Sequence, residues 1–161
     1  AYLAWLEERA GRNDGMIYRL PTEVEWEYAA RGGLDTPFGW EGKAFDVSKA
    51  NCSVKGSAKK TLPVVRDESW SNGFGLIDMI GNVWEWTTGR FRSDHMARKS
   101  CCSVGRDGTD GPATERLVIK GGSHLCAPNY CRRYRPAART PQQATATTNH
   151  IGFRCIRRPA G

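Results

Sequence analysis

Between residues 34 and 72, glycines, prolines and aromatic residues follow one another with no hydrophobic period that lasts, and this restricts the fold more than any other feature. The stretch reads as loops with a few short strands. A core is still needed, and Phe38, Trp40 and Phe45 are the residues that carry it into this region. Eighteen glycines and eight prolines in 161 residues extend the loop-rich character to the rest of the chain, while six tryptophans and a hydrophobic fraction of 39% fit one globular domain rather than a disordered segment. The domain expected is therefore single, covering residues 1–161, with neither an internal repeat nor a second unit.

Regular elements stand out against this background. Leu3, Leu6 and Ala10 share a helical face that ends at Gly11, a good C-terminal cap. A polar loop follows. In "RLPTEVEWEYAARGG" Thr22 and Glu25 have capping-box spacing, Trp26, Ala29 and Ala30 form an apolar stripe, and Gly32 with Gly33 ends the helix. "NGFGLIDMIGNVWEW" predicts a turn at Gly81 and Asn82, then a strand through Val83, Trp84 and Trp86. "RLVIKGGS" predicts another strand ending at a glycine pair, and "HIGFRCIRR" one more. Residues 92–115 are polar and glycine-rich, the segment expected to be mobile.

A net charge of +7, with Arg132, Arg133, Arg135, Arg139, Arg154, Arg157 and Arg158 near the C-terminus, raises the question of nucleic acid. Tyr134, Pro136, Ala137, Ala138 and Phe153 interrupt these arginines, as expected of guanidiniums ordered inside a packed protein. No helix-turn-helix, zinc-finger or RNA-binding signature accompanies them, so no nucleic-acid partner is expected. No apolar run approaches the roughly 20 residues of a membrane span, and no signal peptide opens the chain, so no membrane partner is expected either. The chain begins at Ala1 already inside a helical pattern, as a processed form or a piece of a longer protein would.

Six cysteines, Cys52, Cys101, Cys102, Cys126, Cys131 and Cys155, suit a disulfide framework by count but not by context, because such scaffolds are smaller and poorer in core residues. Cys52 and Cys155 read as buried structural thiols. In "GGSHLCAPNYCRRYRPAAR" the sulfurs of Cys126 and Cys131 converge only if the chain reverses between them, since residues five apart oppose each other in a strand and lie about 140° apart on a helix. Pro128 and Asn129 supply a reversal. Three readings stay open from spacing: a structural disulfide; a zinc site completed by His124, His150 or Cys155; or Cu(I), which thiolates satisfy at low coordination number. Arg132 and Arg133 would favour thiolate over thiol.

"DMIGNVWE" offers a second set of donors. Asp78 and Glu85 carry carboxylates, and Gly81 and Val83 can turn carbonyls inward, a mixture that calcium takes. The alternative is two acids flanking a hairpin.

The segments "RLPTEVEWEYAARGG", "NGFGLIDMIGNVWEWT", "VIKGGSHLCAPNYCRRYRPAAR" and "HIGFRC", in this order, resemble the C-terminal two-thirds of the formylglycine-generating enzymes, or sulfatase-modifying factors. The discriminating piece is residues 121–139 with both cysteines. The resemblance implies an α+β fold of low regular content, irregular and related to C-type lectins. It implies a copper-dependent oxidase that uses O2 and a thiol reductant to convert the cysteine of a Cys-x-Pro-x-Arg sequence in a sulfatase polypeptide into Cα-formylglycine. Cys126 and Cys131 fall on the copper-ligating pair, with Cys131 the one that meets the substrate thiol. Ser123, Tyr130, Arg132 and Trp84 match positions lining the site, and Asp78, Gly81, Val83 and Glu85 match a structural calcium site. A two-coordinate Cu(I) leaves room for the substrate sulfur as a third ligand, and Trp84 would keep water away.

The chain departs from the family pattern in three places. Lys55, Lys59 and Lys60 stand where a further calcium site would need acids, so that site is not expected. Ala30 and Pro136 replace cysteines of the eukaryotic enzymes, which points to a bacterial-type protein, monomeric and cytoplasmic. The family's N-terminal region, part of its peptide groove, has no counterpart in these 161 residues, which leaves a non-catalytic binding module on the same lectin-like fold as the alternative function. Iron-dependent sulfur-transfer relatives fit poorly, because His95, His124 and His150 are scattered.

Overall fold

The computed structural model describes residues 1–9, 15–54, 57–64, 68–92, 115–127 and 133–159. Along the chain it runs α1 (Tyr2–Arg9), β1 (Met16–Arg19), α2 (Glu23–Arg31), a 3-10 turn (Glu68–Trp70), β2 (Trp84–Arg90), β3 (Arg116–Lys120), β4 (Thr140–Gln143), β5 (Ile151–Gly152) and β6 (Ile156–Pro159). Elements this short, separated by long loops, make an α+β fold of low regular content.

The second helix forms where its start and stop signals stand. Thr22 is extended, its hydroxyl accepts from the Glu25 amide at 3.2 Å, and the Glu25 carboxylate accepts from the Thr22 amide at 2.8 Å, so the capping box is complete. Gly32 closes the other end in the left-handed region at φ 58°. Arg19 of β1 forks the same Glu25 carboxylate, which ties the helix start to the preceding strand.

The larger sheet has the order β4-β3-β2-β5, with β3 antiparallel to both neighbours and β5 parallel to β2. Alternation along its strands gives the two faces different work. Glu85, paired with Lys120, and Thr87 belong to the face that meets α2, where Trp26, Ala30 and Met79 form one apolar cluster. Trp84 pairs with Ile151, Trp86 with Ile119, and Ile119 with Thr140, all on the opposite face. There Trp84 and Ile119 join Phe38, Ala50, Cys52, Ile80, Cys126 and Tyr134 in the larger cluster. Trp40 stacks on Phe38 at 5.1 Å and Phe45 lies 4.7 Å from Tyr134, so the loop aromatics fill the core that no helix covers.

Several expectations need correction. Between residues 34 and 72 the described segments hold no strand, only the 3-10 turn and one bridge from Asn51 to Gly81. The polar loop before α2 contains β1, whose partner β6 lies at the far end of the chain. "HIGFRCIRR" is not one strand but two, β5 in the larger sheet and β6 in a ribbon with β1, because the backbone changes sheet where Arg154 turns towards Glu85. The proposed cap at Gly11, Cys101, Cys102 and most of the 92–115 segment lie outside the described residues.

Candidate active site

At the end of β3 the chain must leave the sheet at once, and Gly121 and Gly122 allow it by taking φ of 91° and 76°. A side chain on Gly122 would have its Cβ 2.9 Å from the Tyr134 Cβ, so the pair is required by close approach as well as by backbone angle. The loop then folds into a tight turn. The Cys126 amide donates to the Ser123 carbonyl at 2.9 Å, the Ser123 amide donates to the Cys126 sulfur at 3.5 Å, and the Ser123 hydroxyl accepts from the Leu125 amide at 3.2 Å. His124 fastens this turn to the β2 side by donating from its backbone amide and its ring Nδ1 to the Asn82 carbonyl, at 2.9 and 3.1 Å. The Ser53 amide donates to the Cys126 carbonyl at 2.8 Å.

The result is a cavity of about 280 Å3 between this turn and the open face of the sheet. Its floor is Trp84, Ile119, Thr140, Gln142 and Ile151, one or two residues from each of the four strands, and its other walls are Ser123, Leu125, Cys126, Arg133 and His150. The volume is just below the roughly 300–1,000 Å3 of ligand pockets. Cys126 is 4% and Trp84 6% exposed. Of the residues expected at the site, Trp84, Ser123 and Cys126 are brought together here. Tyr130, Cys131 and Arg132, with the Pro128-Asn129 turn, lie outside the described residues. Thr140, Gln142 and Ile151 were not foreseen, and nothing in "ARTPQQ" marks a cavity wall.

The residues proposed for calcium sit one layer away. Asp78 and Asn82 are both left-handed, at φ 60° and 61°, and the Asn82 side-chain Nδ2 donates to Asp78 Oδ2 at 3.0 Å. Glu85 is 5% exposed and takes a fork from Arg154, Nε to Oε2 and Nη2 to Oε1 at 2.6 Å each, with the Trp26 indole donating to Oε2 at 2.6 Å. Arg154 Nη2 also reaches the Ile77 carbonyl at 3.2 Å. Among the described residues no three His, Cys, Asp or Glu side chains gather as a metal cluster.

Comparison with known proteins shows the family of this fold. The family model described as "Sulfatase-modifying factor enzyme 1-like domain" matches residues 1–159. The formylglycine-generating enzyme of Mycobacterium tuberculosis is 45% identical over 99% of this chain and 54% of its own length, and that of Thermomonospora curvata 37% identical over 91% and 54%. Among solved structures, PvdO from Pseudomonas aeruginosa superposes with a TM-score of 0.72 at 29% identity, over 98% of this chain and 57% of that one. The chain spans about half the length of the curated relatives it matches. With the glycine turn, the cysteine it delivers and a family match along nearly the whole sequence, the chain belongs to the sulfatase-modifying-factor family, that of the formylglycine-generating enzymes.

Proposed function

We propose that the protein oxidises the cysteine of a Cys-x-Pro-x-Arg sequence in a sulfatase polypeptide to Cα-formylglycine, with Cu(I), O2 and a thiol reductant, and that it acts as a monomer. The observation that carries this reading is Cys126, buried in the wall of a cavity of mixed apolar and polar lining in a member of this family. A sulfur that accepts an amide hydrogen bond and sits away from water suits a soft metal such as Cu(I). Cys126 would hold it together with Cys131. Bound there, copper supplies one-electron chemistry towards O2 that side chains alone lack.

The protein's own residues do the rest. The Ser123–Cys126 turn fixes the sulfur, and its anchors on Asn82 and Ser53 keep it fixed while a substrate enters. Trp84 and Ile151 keep water from the reacting centre, which limits side reactions with solvent. Ser123 presents its hydroxyl beside Cys126, and Tyr130 and Arg132 would join it in lining the site. The test is a titration of the reduced protein with Cu(I) against a competing chelator. One ion per chain is expected, with affinity falling more than about 100-fold in Cys126→Ser and Cys131→Ser, since loss of an outer partner alone costs roughly 10–100-fold. Unchanged affinity in both variants would place the metal elsewhere.

We also propose a structural calcium on Asp78, Glu85 and the carbonyls of Gly81 and Val83. Among the described residues neither carbonyl is taken by a backbone hydrogen bond, which suits the donor set to calcium. Arg154 on Glu85 cancels one of the two negative charges, so the site is a weak one.

A further inference from the structure

The floor of the cavity contains a group that the folded protein leaves unused. Thr140 is 8% exposed, it lines the cavity with Cys126 and Trp84, and among the described residues its buried hydroxyl has no hydrogen-bond partner. A buried hydroxyl without a partner is destabilising, and one that persists in a cavity wall calls for a reason. Two residues on, Gln142 lines the same cavity with an amide that can both donate and accept.

The geometry points to Thr140 and Gln142 as a clamp for the backbone of an extended peptide. This rests on the reading of the cavity as a sulfatase-peptide site. Residues two apart in a strand share a face and lie about 6.6–6.8 Å apart along it. An extended peptide repeats its same-side backbone groups at that spacing, so a hydroxyl and a carboxamide on β4 meet two successive groups of a ligand lying alongside. A turn about the Thr140 Cα–Cβ bond brings the buried hydroxyl to a peptide carbonyl, to which it donates, and Gln142 pairs with the next amide or carbonyl. Trp84, Ile119 and Ile151 cover the apolar side of the same ligand. Such a clamp reads no side chains. It holds the segment around the reacting cysteine, and recognition of proline and arginine falls to other surfaces.

Thr140→Val and Thr140→Ser separate this from a structural role. Valine keeps the branched shape and removes the hydroxyl, so in the absence of peptide it should raise the melting temperature, because an unsatisfied buried group is lost. The same variant should bind a fluorescent Ser-x-Pro-x-Arg peptide, in which serine replaces the reactive cysteine, about 3- to 10-fold more weakly, the effect of one neutral hydrogen bond. Thr140→Ser, which keeps the hydroxyl, should bind within about twofold of the parent. The measurement is fluorescence polarisation on copper-free protein in its longest natural form, so it does not depend on turnover. If the parent binds the peptide and Thr140→Val binds it equally well, or if Thr140→Val melts lower, the clamp is wrong while the peptide site stands. If the parent does not bind the peptide at all, the reading of the cavity as a sulfatase-peptide site fails, and the clamp with it.

Discussion

Glu85 shows how one residue is given several tasks. Its side chain lies on the α2 face of the sheet, where the Trp26 indole and the Arg154 guanidinium both converge on it, so one carboxylate joins α2, β2 and the segment between β5 and β6. Lys120 on the next strand repeats the device: its side chain is 0% exposed, it contacts Glu27 at 3.3 Å and it lies over the Trp26 ring. Desolvation pulls its pKa down from the ordinary lysine value while Glu27 and Glu23 pull the other way. At this scale the calcium proposal can be tested. An ion that binds only the folded state stabilises it by mass action, so a chelator should lower the melting temperature of the parent and leave that of Asp78→Ala unmoved. Because Arg154 competes for Glu85, millimolar calcium should be needed to restore the parent. Equal shifts in parent and variant would remove calcium from these residues.

At the scale of elements, legibility follows how local the signals are. The second helix was readable because its capping box, apolar stripe and terminal glycines all lie within about a dozen residues. Strand β4 was not, since "TPQQ" has poor strand propensity and contains a proline; the structure tolerates it because β4 is an edge strand. The β1–β6 ribbon joins residues 16–19 to residues 156–159, and no local pattern announces such a pairing. The helix start also carries a pH signature. Hydrogen bonding from Arg19, and then from the Thr22 backbone, lowers the Glu25 pKa to about 2. An ordinary glutamate in the unfolded chain titrates near 4.3, so this contribution is present above that value and is lost as pH falls towards about 2. Acid unfolding should therefore be less steep between about pH 5 and 2 in Glu25→Gln than in the parent. The difference is small, because Arg19 and Glu25 are partly exposed and screened. Denaturant midpoints measured at several pH values check it, and parallel curves would contradict it.

For the molecule as a whole, the C-terminal arginines divide: Arg139 and Arg154 are drawn partly inside, while Arg133, Arg135, Arg157 and Arg158 are exposed, so the expected internal ordering holds only in part. Arg139 pairs with Glu23, Arg154 with Glu85, and Arg135 lies over the Phe38 ring. No helix among the described residues is long and apolar enough to cross a membrane. The candidate site was legible in part. Ser123 and Cys126 were marked by the glycine pair and the cysteine, and Trp84 by its place in a recognisable segment. The polar floor from β4 was hidden, because it depends on a strand crossing that sequence spacing does not reveal. What joins these parts into a function is the claim that the cavity under Cys126 is an oxidase site. The direct test is mass spectrometry of a Cys-x-Pro-x-Arg peptide incubated in air with the copper-loaded protein, in its longest natural form, and a thiol reductant. The peptide should lose mass as its thiol becomes an aldehyde. Cys126→Ser should abolish the change, and Trp84→Ala should slow it by about 10- to 100-fold while still binding Cu(I), as loss of a supporting residue does. A copper-loaded parent that binds the peptide and leaves its mass unchanged would contradict the oxidase account and favour a binding module on the same fold.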